Sequence, residues 1–489
     1  MDRPAYRAED EREYLARGWW RDDDTLWSWL SGHAASRPDA PAVVSSNATL
    51  TWRALHDRVL RVAEGLRAKG IDKGDVVAIQ LPNTPEFLIL HLAIARLGAV
   101  MCTVHMPYRG AEIETILAHS GAKLFLTAAY PMAELEASSL LAADYPAPDS
   151  RDPFLLLYTS GTTASPKGVP HAYRTMLGNS RMGAQEHKLS AQSRVLCPAP
   201  FSHLYGLYSL HCAWSVGACT CLLPAFKPDE LAAAVEAYKP TAFWGGPAHV
   251  AACRNAGLFD KHDWSSLKLA IVSGSMAPPP LVRYFADKLP GCAVTQLWGM
   301  TELQAALYTR PEDGIEAASA SAGRPSPGTQ VRVADDGELQ VKGPLTFSGY
   351  YNNPEANATA FTSDGWFRSG DLAEQKGKYF AITGRIKDVI NRGGVKFNPA
   401  DVEALLDSHP QILQSAIVPM PDPVLGEKAC AFITVKPGAQ APALEDLVQY
   451  LLSKDIAKNK LPERLVVIPE MPLTPTRKII KGRLRRPEQ

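Results

Sequence analysis

The stretch Tyr158-Thr159-Ser160-Gly161-Thr162-Thr163-Ala164-Ser165-Pro166-Lys167-Gly168-Val169 decides how this chain is read. It follows the apolar run Phe154-Leu155-Leu156-Leu157, which reads as a buried strand, so the small residues form a loop at a strand end. Hydroxyl side chains, a glycine and a lysine crowded together let backbone N–H groups and hydroxyls donate to a polyphosphate while the ammonium supplies counter-charge. The loop is not of the GxxxxGK[ST] kind, because Gly168 follows Lys167 where Ser or Thr would be needed. A Ser/Thr-rich surface loop without a ligand is the plainer alternative.

The chain around it has 489 residues, enough for two or more domains and a large core. Lys+Arg and Asp+Glu both number 51, so bulk charge gives no reason to expect a nucleic-acid partner. Hydrophobic residues at 46% and charged residues at 21% describe an ordinary globular protein. The first ten residues lack the apolar core of a signal peptide, and the longest apolar-rich run, Phe87 to Met101, is interrupted by His91 and Arg96. That run is short of the roughly 18 residues a membrane span needs, so the expectation is a cytoplasmic enzyme with no membrane span. The 8 cysteines show no CxxC pair, and Cys219-x-Cys221 reads as alternation on an apolar strand rather than a metal site.

Strand and helix patterns alternate along the chain. Residues 11–40 hold Trp19, Trp20, Trp27 and Trp29 among charges, a lead-in expected to pack across the main domain. Trp52, Leu55, Val59, Val62 and Leu66 recur at helical spacing, Val76–Ile79 reads as a strand, Pro85–Leu97 as a helix, and Ala99–Cys102 as another strand. This order predicts an α/β fold: a large N-terminal domain of parallel sheets with covering helices plus a small β element, then a small mobile α+β C-terminal domain.

The loop resembles the phosphate loop of the adenylate-forming superfamily of acyl-CoA synthetases, aryl-acid adenylating enzymes and luciferases, and further motifs follow in that family's order. The segment Val104-His105-Met106-Pro107-Tyr108-Arg109 is similar to its alicyclic, medium-chain and aryl-acid branch. The family usually has Gly or Ser where Ala164 stands, and fewer residues than usual separate Leu124-Phe125-Leu126 from the loop, so a peripheral element is expected to be missing. By the resemblance, Thr159, Ser160, Gly161, Thr162, Thr163 and Lys167 hold the phosphates of ATP. His203, in Pro198-Ala199-Pro200-Phe201-Ser202-His203-Leu204-Tyr205, falls on the position that lines and gates the acyl pocket. Enzymes for 2-hydroxylated benzoates carry asparagine after this histidine, to bond the ortho hydroxyl. Leu204 cannot do so, which implies an acid without that group.

Ser273-Gly274-Ser275 matches the stretch that meets the adenine edge, and Trp298-Gly299-Met300-Thr301-Glu302 matches the aromatic-Gly-x-Thr-Glu motif. The resemblance implies that Gly274 and Ser275 contact nucleotide, Trp298 stacks on adenine, Gly299 floors the acyl pocket, Thr301 donates to the α-phosphate and Glu302 holds Mg2+. Its pocket positions fall on His203, Leu204, Tyr205, Trp244, Gly245, Gly246, Ser273 and Gly299. Asp371 matches the ribose-binding carboxylate, Arg385 the ribose- and phosphate-contacting arginine, and Lys387 the hinge. These imply domains 1–384 and 385–489. Gly393-Gly394 matches the turn that meets the thiol tunnel, and Lys478, within Pro472-Leu473-Thr474-Pro475-Thr476-Arg477-Lys478, the adenylation lysine. Arg477 stands where the family commonly has Gly.

The reaction implied is acyl-adenylate formation from ATP and a small carboxylic acid, aromatic, alicyclic or medium-chain, followed by transfer to coenzyme A. The alternative acceptor is the phosphopantetheine of an acyl or aryl carrier protein, and a non-catalytic acyl-adenylate-binding protein is the remoter reading. The resemblance implies a monomer or homodimer, the states common among family members.

Overall fold

The computed structural model describes residues 1–159, 167–275, 277–474 and 477–484. The chain divides into two compact units, Met1–Val331 with Val341–Phe367, and Arg332–Gln340 with Arg368–Gln489. Asp371 and Arg385 both belong to the second.

The first unit is organised by parallel strands. A five-stranded sheet runs Leu124–Thr127, Val76–Gln80, Val100–Thr103, Pro153–Thr159, Lys167–Ala172. Its first four strands are parallel, and the last turns back antiparallel with Thr159 opposite Lys167. A nine-stranded sheet takes in Ala293–Met300, Leu269–Val272, Ala242–Gly245, Arg194–Leu196, Cys219–Cys221 and Pro41–Val44, again parallel, with antiparallel strands at both edges. Cys219–Cys221 lies on a strand, as its alternation implies, and Thr220 between the two cysteines is buried as well, because the strand is covered on both faces. Residues 137–152 carry no helix or strand, and Met132–Glu136 is the one helix among residues 128–152.

Parallel strands need crossover helices on their faces, and three of these helices are buried almost all round. Pro85–Arg96, Tyr173–Glu186 and Leu204–Ser215 share a core cluster with residues of both sheets. Pro85–Arg96 and Leu204–Ser215 are apolar on nearly every side and so pack on every side, whereas Tyr173–Glu186 buries Arg174, Asn179 and Arg181 through hydrogen bonds to neighbouring segments. The polar members of the first two are absorbed internally: His91 Nε2 lies 2.8 Å from His211 Nε2, and Arg96 donates to the Tyr145 and Pro146 carbonyls, each at 2.8 Å.

The tryptophan-rich lead-in is fastened along Tyr173–Glu186. Arg181 donates to Asp24 and to the carbonyls of Gly18 and Trp19, Arg174 pairs with Glu11 at 2.6 Å, and Trp20 Nε1 donates to the Pro344 carbonyl at 2.9 Å. Asp24 is 1% exposed, so removing its partner strands a buried carboxylate. Arg181→Met is expected to cost about 3–5 kcal/mol of unfolding free energy, read from denaturant melts.

The second unit is α+β. A mostly antiparallel sheet runs Val395–Phe397, Ile390–Arg392, Gly426–Val435, Ile412–Asp422, with Arg464–Val467 parallel to Gly426–Val435. The helices Ala400–Leu406 and Leu444–Leu452 bury Val402, Leu406, Leu447 and Leu451 against it.

Candidate functional site

The side chains singled out in the first unit follow the carboxyl ends of parallel strands, where open α/β sheets bind ligands. Thr159 closes Pro153–Thr159, and Lys167 opens the returning strand. Ser160, Gly161, Thr162, Thr163 and Ala164 lie outside the described residues. His203 follows Arg194–Leu196, Gly245 ends Ala242–Gly245 with Gly246 next, Ser273 and Gly274 follow Leu269–Val272, and Thr301 and Glu302 follow Ala293–Met300.

The pocket residues are joined by backbone bonds. His203 caps Leu204–Ser215 by accepting the Tyr205 N–H at Nδ1, 3.2 Å away, which leaves the ring proton of the neutral form on Nε2. Tyr205 is buried, and its hydroxyl donates to the Ile271 carbonyl at 2.9 Å and approaches that of Gly245 at 3.4 Å. Burial raises its pKa well above the usual phenol value. The Ser273 N–H donates to the Gly245 carbonyl at 3.0 Å, and a Cβ on Gly246 would stand 3.1 Å from the Ser273 carbonyl. Trp244 is fully buried in the core.

Behind His203 is a second histidine. His105 Nδ1 lies 2.9 Å from Ser202 Oγ, Thr103 donates to the Ser202 carbonyl at 2.8 Å, and the rings of His105 and His203 stack with centroids 6.3 Å apart. Burial pushes the His105 pKa down to about 4, so this ring is neutral at working pH. Asn83 holds the same loop, donating to the Ala199 carbonyl at 2.9 Å and accepting the Phe201 N–H at 2.8 Å.

Glu302 is 5% exposed and accepts the Tyr350 hydroxyl at 2.9 Å. The Lys167 ammonium stands 4.8 Å from the centroid of the same tyrosine ring. Trp298 is half-buried on the strand and Thr301 half-buried in the turn after it. That turn requires glycine before it: a Cβ on Gly299 would lie 1.7 Å from the Gln304 carbonyl oxygen. Gly274 has φ +94° with open space around it, and Ser275 is exposed.

In the second unit Asp371 and Arg385 face each other across paired strands, with Arg385 Nε 3.0 Å from Asp371 Oδ1. Lys387 is exposed in the short 3-10 turn Ile386–Asp388. Gly393 and Gly394 form the exposed tip between Ile390–Arg392 and Val395–Phe397. Lys478 sits in a narrow hairpin: its N–H donates to Thr474 Oγ1 at 3.0 Å, and the Thr474 N–H donates to its carbonyl at 2.8 Å. Arg477 adopts φ +64°, a conformation that favours glycine. Lys481, three residues after Lys478, pairs with Glu403 at 2.6 Å.

Tyr350, His105, Ser202 and Asn83 are the side chains that sequence reasoning gave no role. Among the described residues no group of three or more His, Cys, Asp or Glu could hold a metal ion, and no helix is long and apolar enough to cross a membrane. Glu302 is one hard-oxygen donor, which fits a magnesium ion that takes one or two carboxylates and arrives with nucleotide phosphates.

Residues 30–351 match the AMP-binding enzyme model, and residues 401–478 match the AMP-binding enzyme C-terminal domain. The chain is 32% identical to pseudomonine synthase PmsE of Pseudomonas entomophila (strain L48), over 99% of this chain and 86% of that one. It is 32% identical to feruloyl-CoA synthase of an Amycolatopsis species, over 94% and 98% of the two chains. The crystal structure of ATP-bound MatB from Rhodopseudomonas palustris, 25% identical, superposes with a TM-score of 0.86 over 95% of this chain and 98% of that one. The chain therefore belongs to the AMP-binding enzyme family, within the adenylate-forming superfamily, and is an ATP-using, AMP-forming acid–thiol ligase.

Proposed function

We propose that the enzyme condenses ATP with an aromatic, alicyclic or medium-chain carboxylic acid lacking an ortho hydroxyl, and passes the acyl group to coenzyme A. The observation that carries the acid class is the state of the residues after His203. Leu204 has no polar atom, and the Tyr205 hydroxyl is spent on backbone carbonyls. The oxygen of an ortho hydroxyl would find no donor in either side chain, and an unpaired buried polar group is costly. The 32% identity to a feruloyl-CoA synthase supports an aromatic acid and coenzyme A.

In the proposed chemistry a carboxylate oxygen attacks the α-phosphorus of ATP and pyrophosphate leaves. Lys478 counters the negative charge that gathers as the bond forms, Thr301 donates to the α-phosphate, and Thr159 and Lys167 hold the departing phosphates. Trp298, Gly274 and Ser275 hold the adenine, and Asp371 with Arg385 the ribose. Glu302 would hold Mg2+, which when bound offsets phosphate charge. A thiol then attacks the acyl carbonyl and AMP leaves, with Lys387 as the pivot between half-reactions and the Gly393-Gly394 turn serving the thiol arm.

The second reading, loading of a phosphopantetheinylated carrier protein, is favoured by the likeness to pseudomonine synthase PmsE over 99% of the chain. Incubation with ATP, benzoate and either coenzyme A or a phosphopantetheinylated aryl carrier separates the two by product mass. The expected product is benzoyl-CoA. Acylated carrier with no coenzyme A thioester would overturn the first reading in favour of the second.

A further inference from the structure

We propose that Tyr350 is a positioning residue that keeps the Glu302 carboxylate and the Lys167 ammonium apart, so that each remains available, one for the divalent cation and the other for phosphate. This rests on the reading of Glu302 as the metal carboxylate.

The phenol serves both charges at once. Its hydroxyl donates to Glu302 Oε1 at 2.9 Å, and its ring face lies 4.8 Å from the Lys167 ammonium. A phenol ordinarily titrates at about 10, so the hydroxyl donates to the carboxylate as a neutral group. It is therefore a permanent neutral donor, and it satisfies the carboxylate oxygen without cancelling its charge.

The tyrosine is held in place from several sides. Asn357 Oδ1 accepts the Tyr350 N–H at 2.6 Å and Asn357 Nδ2 donates to the Tyr350 carbonyl at 2.9 Å. Gly349 before it has φ +136°, and a Cβ there would meet Asn357 Oδ1 at 3.0 Å. The Tyr351 N–H donates to the Gly168 carbonyl at 2.9 Å, one residue after Lys167, and the Phe347 N–H donates to the Glu302 carbonyl at 3.0 Å. The 347–351 segment is thus tied to both elements it serves. Beside a carboxylate as buried as that of Glu302, an opposite charge is attracted more strongly than in water and would pair with it if nothing intervened. A phenol between them, with a donor at one end and a π face at the side, prevents that.

The test is calorimetric titration of ATP into the full chain, with Mn2+ and again with chelator. Tyr350→Phe is expected to reduce the gain in ATP affinity that Mn2+ provides by about tenfold, the loss of one hydrogen bond to a charged group. Metal-free ATP binding should hold, as the ring remains for Lys167. The Mg2+ concentration giving half-maximal pyrophosphate exchange should rise, with the rate recovered at saturation. A purely structural role would instead weaken ATP binding with and without metal alike, and that result overturns the proposal. Asn357→Ala, which leaves the phenol but frees its backbone, is expected to lose the same Mn2+ gain. Retention of the gain in both variants also overturns the proposal, while retention in Glu302→Gln overturns the metal reading beneath it.

Discussion

Replacing Lys478 by alanine is expected to lower acid-dependent ATP–pyrophosphate exchange by about a thousandfold, the scale at which a single charge-stabilising group acts on a transition state. The same variant should keep its rate of thiol attack on a supplied acyl-adenylate. The hairpin explains why the two effects separate. It is closed by the Lys478 N–H on Thr474 Oγ1 and by the Thr474 N–H on the Lys478 carbonyl, neither of which uses the ammonium. Arg477 already tolerates φ +64° in that turn, and Arg477→Gly should relieve about 1 kcal/mol of backbone strain. Quenched-flow measurement of each half-reaction reads the separation. Adenylation that survives Lys478→Ala would remove this residue from the chemistry.

Acid should unfold the first unit well before its carboxylates are all protonated. His171 and His187 are buried and held down to about 3, and His105 to about 4, in each case chiefly by desolvation. The buried His91 and His211 are lowered in the same direction. Unfolded histidine titrates near 6.5, so between there and the folded values the unfolded chain binds more protons. Each such ring then costs about 1.4 kcal/mol per pH unit as pH falls, with no loss above 6.5. The first three alone give about 4 kcal/mol per unit against a total stability of about 5–15 kcal/mol, which places unfolding roughly two units below 6.5, and His91 and His211 add to the loss. Asp407, raised to about 6 by burial in the second unit, opposes this between 6 and its unfolded value of 3.8, and Asp24, raised by burial in the first unit, acts in the same direction, but two carboxyls stand against five rings. Near-ultraviolet circular dichroism against pH follows the transition, and His171→Leu should move the midpoint down. Full structure at pH 4 would contradict the argument.

What the sequence made legible has a physical pattern. The helix Trp52–Ala68 and the strand Val76–Gln80 fall where their periodicity puts them, because each signal is local and each element buries the residues that announce it. The strand from Ala293 runs on through Met300, carrying Trp298 and Gly299 with it, because the antiparallel Gln304–Tyr308 extends it. Nothing local announces that partner. The site residues Lys167, His203, Asp371 and Lys478 stand out through their own neighbours in the chain. Tyr350 does not, since it meets Glu302 across 48 positions. The same holds for His105, 97 positions from Ser202, and for His91, 120 from His211. A polar side chain whose meaning lies in a distant partner looks, in sequence, like any other residue in an apolar run.

The most direct measurement is exchange of radiolabelled pyrophosphate into ATP across a panel of benzoic, cyclohexanecarboxylic, medium-chain and 2-hydroxybenzoic acids. Exchange that requires the acid and magnesium, and that is weakest with the 2-hydroxylated member, is the result expected. No exchange with any acid, or exchange confined to 2-hydroxybenzoate, would contradict the account.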